Sequence, residues 1–326
     1  MQLRYNGHRY FYTAFELVNN RQSFFMLDTN TSVISINPEN YIGRDIKGIT
    51  LIELLGRGAT GLVYTAYQKS LKRKVALKLF PKQTLKSVSV EKFRTEAETV
   101  AVLNHPNIAP VFDMGETEEF LFIVMQLIGG QDMRLIIQRL RKHPVLSRRT
   151  LSKKTAVQIM LSVLDALEYA HSQQVIHQDV KPANIIIEEQ NYRPYLVDFG
   201  IARTILSEQG LSQFILGTPL YMAPEQASGQ QTDSRADIYS AGIVLYEAVS
   251  GVLPVQKVKT EEILRLKICD PDSIFTCKPS QHNGVIDREL ERIICKATSA
   301  QPSMRYQECA SFKEDLAIYA KTLQEQ

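Results

Sequence analysis

The chain has 326 residues, too many for one small core and enough for two lobes or about two domains. A hydrophobic content of 44%, a charged content of 22% and a formal net charge of +3 are those of an ordinary soluble protein and give no charge argument for nucleic acid. The four cysteines (Cys269, Cys277, Cys295, Cys309) form no CxxC pair and read as reduced thiols; no apolar run nears the roughly 20 residues of a membrane span, and no signal peptide opens the chain.

Residues 1–47 read as a β-rich extension. Arg9 to Val18, Ser23 to Leu27 and Ser32 to Ile36 are apolar or aromatic runs separated by turn clusters. The aromatic density (Tyr10, Phe11, Tyr12, Phe15, Phe24, Phe25) implies a buried face. Either a structural appendage or a regulatory, partner-binding extension fits it.

From Ile49 an apolar strand runs into Gly56-Arg57-Gly58-Ala59-Thr60-Gly61, and a second strand leaves it through Tyr67. Glycines there let backbone N–H groups approach phosphate oxygens. The same spacing marks dinucleotide-binding turns, or a bare glycine-rich hairpin. Here it lies between two strands, and the acidic residue that a dinucleotide site wants about 20 residues on is missing. A third strand, Lys74 to Phe80, carries Lys78 among apolar neighbours, where an ammonium needs a partner to stay charged. A helix over 90–103, stopped by Asn104-His105-Pro106, offers Glu96, one turn before Val100 on the apolar side, or Glu98.

Phe120 to Ile128 is a further strand, leading to Gly129-Gly130. Residues 134–154 hold eight Lys or Arg and no acid, which reads as a solvated face or as a docking surface for an acidic partner. Thr155 to Ser172 is a helix with Ile159, Val163, Ala166, Leu167 and Ala170 on its core face. The stretch Val175 to Ile187 is a polar loop between two apolar runs. Its carboxylate (Asp179), ammonium (Lys181) and amide (Asn184) can take a proton, neutralise a phosphate and hold a metal ion. Cys295 reads as a small buried hydrophobe.

The glycine loop, Lys78, the helix glutamate, His177-Gln178-Asp179, Asp198-Phe199-Gly200 and Ala223-Pro224-Glu225 occur in the order and spacing of the protein-kinase signature set. Over residues 49–320 the chain resembles a eukaryotic-like (Hanks-type) Ser/Thr protein kinase of the bacterial branch, to which Tyr221-Met222-Ala223-Pro224-Glu225-Gln226 is particularly similar. The resemblance implies an α+β, bilobal fold. Its N-lobe and hinge, 48–128, would hold five antiparallel strands and one helix; its C-lobe, 129–326, would be mainly helical. It further implies ATP and Mg²⁺, with Mn²⁺ as a substitute, transfer to Ser/Thr hydroxyls of proteins, and autophosphorylation. The implied setting is a bacterial cytoplasm, with delivery into a host cell as the alternative.

By the same resemblance, ATP lies against Gly56, Gly58, Gly61, Val63, Ala76, Lys78, Glu96, the gatekeeper Met125, the main chain of Gln126 to Ile128, and Ile186. Asp179 accepts the substrate proton, Lys181 neutralises the moving phosphoryl, and Asn184 and Asp198 hold the metal. Thr218, with Lys181, supports the catalytic aspartate. Asp237 resembles a helix-start aspartate that bonds the catalytic-loop backbone, and also suits an N-cap. Glu225 and Arg305 resemble a buried ion pair. One departure stands out: Gln178 occupies the place of an arginine that, in the family, pairs with a phosphate on the activation loop. The loop 201–216 holds Thr204, Ser207 and Ser212. Gln178 implies activity without phosphorylation there, or gating elsewhere, for example by residues 1–47. A nucleotide-binding pseudokinase scaffold is the alternative class. It predicts erosion of Lys78, Asp179, Asn184 or Asp198, and all four are present. A small-molecule kinase is disfavoured by residues 217–225, which resemble a peptide-docking loop.

Overall fold

The structure, a computed structural model, describes residues 2–5, 8–11, 37–58, 61–85, 90–200, 219–255, 259–275 and 278–324. Contacts divide it into Met1–Asn37 and Pro38–Gln326. In the first unit β1 (Gln2–Tyr5) pairs antiparallel with β2 (His8–Phe11), Gln2 opposite Phe11. The dipeptide between them, Asn6-Gly7, is the strongest short hairpin signal a sequence carries. Of the strands expected over 9–36, only Arg9 to Phe11 falls in a described element; the rest lies outside the described residues.

The second unit contains an antiparallel sheet of β3 (Asp45–Ile46), β4 (Ile49–Arg57), β5 (Leu62–Gln68), β6 (Arg73–Pro81), β7 (Val111–Glu116) and β8 (Phe120–Met125), ordered β3-β4-β5-β6-β8-β7. This is one strand more than expected, because two residues are too few for periodicity to show and β3 exists only by pairing with Ile49 and Thr50. Residues from Pro38 onward pack with the sheet: the Tyr64 hydroxyl donates to the Pro38 carbonyl at 2.8 Å, and the Tyr41 ring stands edge-on to Phe120 at 5.2 Å. Across the sheet lies α1 (Val90–Ala101), whose Phe93, Ala97 and Val100 recur at helical spacing and are buried. Phe93 meets Phe80 of β6 at 5.3 Å.

The remaining chain is mostly helical. β9 (Gly130–Asp132) leads into α2 (Met133–Arg141) and α3 (Lys153–Ser172), then β10 (Ile185–Glu188) and β11 (Pro194–Leu196) close a small sheet ordered β11-β10-β9. A Cβ on Gly130 would lie 2.1 Å from the Ile187 carbonyl oxygen, so only glycine lets β9 approach β10. α4 (Pro224–Ala227), α5 (Arg235–Ser250), α6 (Thr260–Cys269), α7 (Pro279–His282), α8 (Arg288–Ala297) and α9 (Cys309–Thr322) follow. Every residue of α5 from Ala236 to Ser250 is buried, as befits a helix apolar on nearly all sides. The expected α+β, two-lobed arrangement is present. One expectation fails: Cys295 is exposed. α8 buries Leu290, Ile293, Ile294 and Ala297, which turns Cys295 to the opposite face. Among the described residues the buried thiol is Cys309, and its burial raises its pKa well above the ordinary value.

Candidate active site

Residues opposite one another in an antiparallel pair share a face of the sheet. Val63 stands opposite Lys78 and Ala76 opposite Met125, and Ala76 and Lys78 are two apart on β6. Val63, Ala76, Lys78 and Met125 therefore line one face, with Gly56 opposite Val63 beyond them. The glycine turn is closed by the Gly58 N–H donating to the Gly61 carbonyl at 2.8 Å. The glycines differ in what they do. A Cβ on Gly61 would sit 2.2 Å from the Leu79 carbonyl oxygen, so that position is fixed by strand packing. A Cβ on Gly56 would meet nothing within 4 Å, and one on Gly58 only the Gly61 carbonyl at 3.7 Å, so the backbone there is open to a ligand.

The opposite wall is the loop between α3 and β10. The Asp179 carboxylate accepts from Lys181 Nζ at 2.6 Å and from Asn184 Nδ2 at 3.0 Å. The Asn184 amide also bonds the Asp179 carbonyl at 2.8 Å. His177 is fully buried. Its Nε2 donates to the Val197 carbonyl at 3.1 Å and its Nδ1 accepts from the Asp179 N–H at 3.2 Å. That tautomer is the neutral one. Burial holds its pKa below the ordinary value against the pull of Asp237, Asp179 and Asp198. Asp237 anchors the loop from beneath: its carboxylate accepts the N–H groups of His177 and Gln178 and the His171 Nε2, each at 2.8 Å. Asp237 lies in the first turn of α5, whose N-cap is Ser234, so its carboxylate serves this loop and the N-cap reading falls. The Gln178 carbonyl accepts from Gln226 Nε2 at 3.1 Å, and Gln178 sits at φ 63, in the left-handed region.

Asp198 joins the two walls. Its backbone is left-handed at φ 65, and its carboxylate forms an ion pair with the Lys78 ammonium. Burial pushes the Asp198 carboxyl up, but the Lys78 and Lys181 charges and the Lys78 hydrogen bond outweigh it and hold the pKa below the ordinary value. The expectation that Glu96 pairs with Lys78 is not met. Glu96 is half-buried on α1, its pKa raised by desolvation with only a small opposing effect of Lys92, and Lys78 is taken by Asp198 instead. Glu98 is exposed. Behind Lys78 and Asp198, a cavity of about 30 Å³ is lined by Phe80, Val100, Ile123, Met125 and Phe199 among others. Ile186 packs with Ala109 and Ile128 in a small apolar cluster, and the Gln126 N–H donates to the Pro110 carbonyl at 3.0 Å. Thr218, Thr204, Ser207 and Ser212 lie outside the described residues.

Two side chains escaped the sequence reading. Lys267 of α6 is 1% exposed; its ammonium donates to the carbonyls of Leu220 (3.2 Å) and Met222 and to the Tyr239 hydroxyl at 3.3 Å. The signal was available: Lys267 follows Ile263 and Leu264 at helical spacing on the buried face. His171 had no such signal. The Glu225 and Arg305 pair is present as a fork, at 2.6 and 2.8 Å, with both residues buried.

The protein kinase domain family matches residues 49–315. The chain is 35% identical over 295 residues to the serine/threonine-protein kinase pkn3 of Myxococcus xanthus, across 87% of this chain and 52% of that one. It is 35% identical over 283 residues to the serine/threonine-protein kinase PknD of Mycobacterium tuberculosis, across 86% of this chain and 40% of that one. The chain thus spans about half, or less, of the curated relatives it matches. The crystal structure of the Mycobacterium tuberculosis PknI kinase domain superposes with a TM-score of 0.67 at 26% identity, over 85% of this chain and 98% of that one. With the family matched over 49–315 and a relative 35% identical across 87% of this chain, the chain, whose sheet face ends in a buried lysine set against a loop that clamps an aspartate, belongs to the protein kinase family.

Proposed function

We propose that this chain transfers the γ-phosphoryl of ATP, as its Mg²⁺ complex, to Ser or Thr hydroxyls of proteins, itself included. The observation that carries the reading is the double clamp on Asp179 by Lys181 and Asn184, facing a carboxylate, Asp198, that is already matched with a cation. The donor set fits the cofactor. Mg²⁺ favours one or two carboxylates completed by phosphate oxygens, and Asp198 with the Asn184 amide supply the protein share. When bound, the metal would neutralise charge on the phosphates.

The chain's own residues do the rest. Val63, Ala76, Met125, Ile128 and Ile186 offer apolar surface to a purine. The Gln126 amide is spent on Pro110, so main-chain contacts would come from its carbonyl and from the Ile128 backbone. Lys78 exchanges Asp198 for phosphate oxygens. Asp179 orients the acceptor hydroxyl and receives its proton, and Lys181 meets the charge on the moving group. Catalysis of this kind rests on positioning and fixed charge rather than covalent chemistry. Thr218 would support Asp179, and Glu96 would replace Asp198 as partner of Lys78 once nucleotide enters. A bacterial cytoplasm is the proposed setting, and the basic 134–154 segment a contact for acidic partners.

The test is phosphate transfer from Mg·ATP to dephosphorylated casein and to histone, together with thermal shift. Wild type transfers and is stabilised by Mg·ATP; Asp179→Asn is stabilised but transfers at least about 100-fold more slowly. Stabilisation without transfer in wild type would make the chain a nucleotide-binding scaffold.

A further inference from the structure

A cavity of about 780 Å³ opens between the end of α2, the turn after it, the end of α5, and α6. Its size is that of sites that take a drug-sized ligand or a few side chains. Leu220, Val252, Leu253, Val255 and Ile263 give it apolar lining, and Arg141, Arg149 and His282 line it as well. No aspartate or glutamate does, among the described residues. Glu247 of α5 is consumed: it accepts from Arg141 and from the Tyr221 hydroxyl, each at 2.5 Å.

The basic segment supplies Arg141, Leu146, Ser147, Arg149 and Thr150 to this lining, and its other cations flank those residues in sequence. Of its cations, Arg134 pairs with Asp132, Arg141 with Glu247 and Lys153 with Asp287. Arg139, Lys142, Arg148, Arg149 and Lys154 are exposed and have no carboxylate partner among the described residues. A merely solvated face would carry polar neighbours. Here Val145 and Leu146 stand 49% and 74% exposed between those cations, beside the apolar lining. Leu220 connects the cavity to the chemistry. It lines the cavity, its carbonyl is fixed by Lys267 at 3.2 Å, and it lies two residues beyond Thr218.

We propose that this cavity docks an acidic segment of the protein substrate, its carboxylates on Lys142, Arg148 and Arg149 and an apolar side chain against Leu220, Leu253 and Val255. Like charge is absent from the lining and opposite charge is in excess in the basic segment, which selects an acidic partner and speeds its encounter. That the partner is a substrate rests on the phosphoryl-transfer reading; the docking itself does not.

The experiment compares a Ser/Thr acceptor peptide alone with the same peptide joined to Glu-Glu-Leu-Glu-Glu or to Lys-Lys-Leu-Lys-Lys. Transfer is measured by KM, and docking by anisotropy of the labelled, acceptor-free acidic peptide. The acidic extension lowers KM at least tenfold in wild type, and the gain shrinks as salt is raised. K142E/R148E/R149E abolishes the gain while leaving KM for ATP and for the bare acceptor within twofold. Leu146→Ser, a surface change, reduces it by a smaller factor. No gain from the acidic extension, an equal gain from the basic one, or a gain that survives charge reversal would overturn the proposal. So would a concentration-dependent dimer, lost in the triple variant, that competes with the peptide, because the occupant would then be a second copy. Acidic-peptide binding that the triple variant loses, with no transfer to any peptide, leaves docking standing and removes the kinase reading instead.

Discussion

Lys78 is paired with Asp198 and not with Glu96, so the cation and the proposed metal ligand neutralise each other across the site. On the proposed function, Lys78 would turn to phosphate oxygens and Asp198 to the metal ion, so both depend on this pair opening. Lys78→Met should therefore lower phosphate transfer by about 100-fold or more. It should also change how stability depends on pH. The Asp198 pKa is depressed in the folded state, so the pair contributes stability above the unfolded carboxylate range, near 3.9, and loses it as pH falls through the lower folded value. The stability gap between wild type and Lys78→Met, from urea unfolding, should shrink between about pH 5 and pH 3. A gap constant across that range would count against the pair.

Arg305 sits 2% exposed, with its guanidinium on both Glu225 oxygens and on the carbonyls of Ser299, Arg235 and Ala300. Arg305→Ala leaves a buried carboxylate and three carbonyls without their donor, a loss of about 3–5 kcal/mol. Arg305→Lys keeps the charge and loses the fork, and should fall between. Chemical denaturation reads both. Transfer per folded molecule should stay near wild type, since neither residue meets the substrate; a specific loss of kcat in fully folded Arg305→Lys would overturn the structural role.

These residues show what a sequence can and cannot disclose. The strand lysine, the glycine turn and the Asp179 loop were legible because each is a local pattern: a lysine within a continuous apolar run, permissive glycines, and polar residues bounded by apolar ones. The partner of Lys78 was not, because choosing between Glu96 and Asp198 depends on where α1 sits against the sheet, and no local pattern encodes that. Asp237 was legible only through the resemblance, which implied a bond to the catalytic-loop backbone; the structure has that bond, to the His177 and Gln178 amides, while the residue pattern alone offered only an N-cap, because tertiary packing brings those donors from some 60 residues away. Cys295 was misplaced by one helical step, since Ile293 and Ile294 take the buried positions and turn it outward.

Lys267 should couple the stability of the fold to pH. Burial, with Arg305 adding to it and Glu225 opposing, brings its pKa from 10.5 down to about 7. The charged groups acting on it are thus Arg305 and Glu225, and the Tyr239 ring lies 4.8 Å from its ammonium. The sign follows from proton counting. Between about pH 7 and the ordinary lysine value the unfolded chain binds the proton and the folded chain does not, so this residue makes stability rise with pH. Lys267→Met removes that slope. Urea unfolding at pH 7, 8 and 9 should show the variant losing ground to wild type at each step, other groups cancelling in the difference. Parallel curves would mean that Lys267 keeps an ordinary pKa. The lost donors to Leu220 and Met222 should also raise KM for a protein substrate several-fold, with KM for ATP unchanged.

The Gln178 backbone is held in two directions, its N–H on Asp237 and its carbonyl on Gln226, and both bonds are independent of side-chain charge. A neutral amide cannot make the strong charge-assisted pair that an arginine makes with a phosphate. Phosphorylation of the 201–216 loop should therefore add little through this residue. The variant Thr204→Ala with Ser207→Ala and Ser212→Ala should keep transfer activity within tenfold of wild type, measured on an external substrate to exclude lost acceptor sites. Gln178→Arg provides the complement: it installs the missing cation, so its activity should become dependent on the state of the loop and fall when the same three hydroxyls are removed. If the alanine variant loses more than tenfold in the Gln178 background, the loop is a switch that works through another cation.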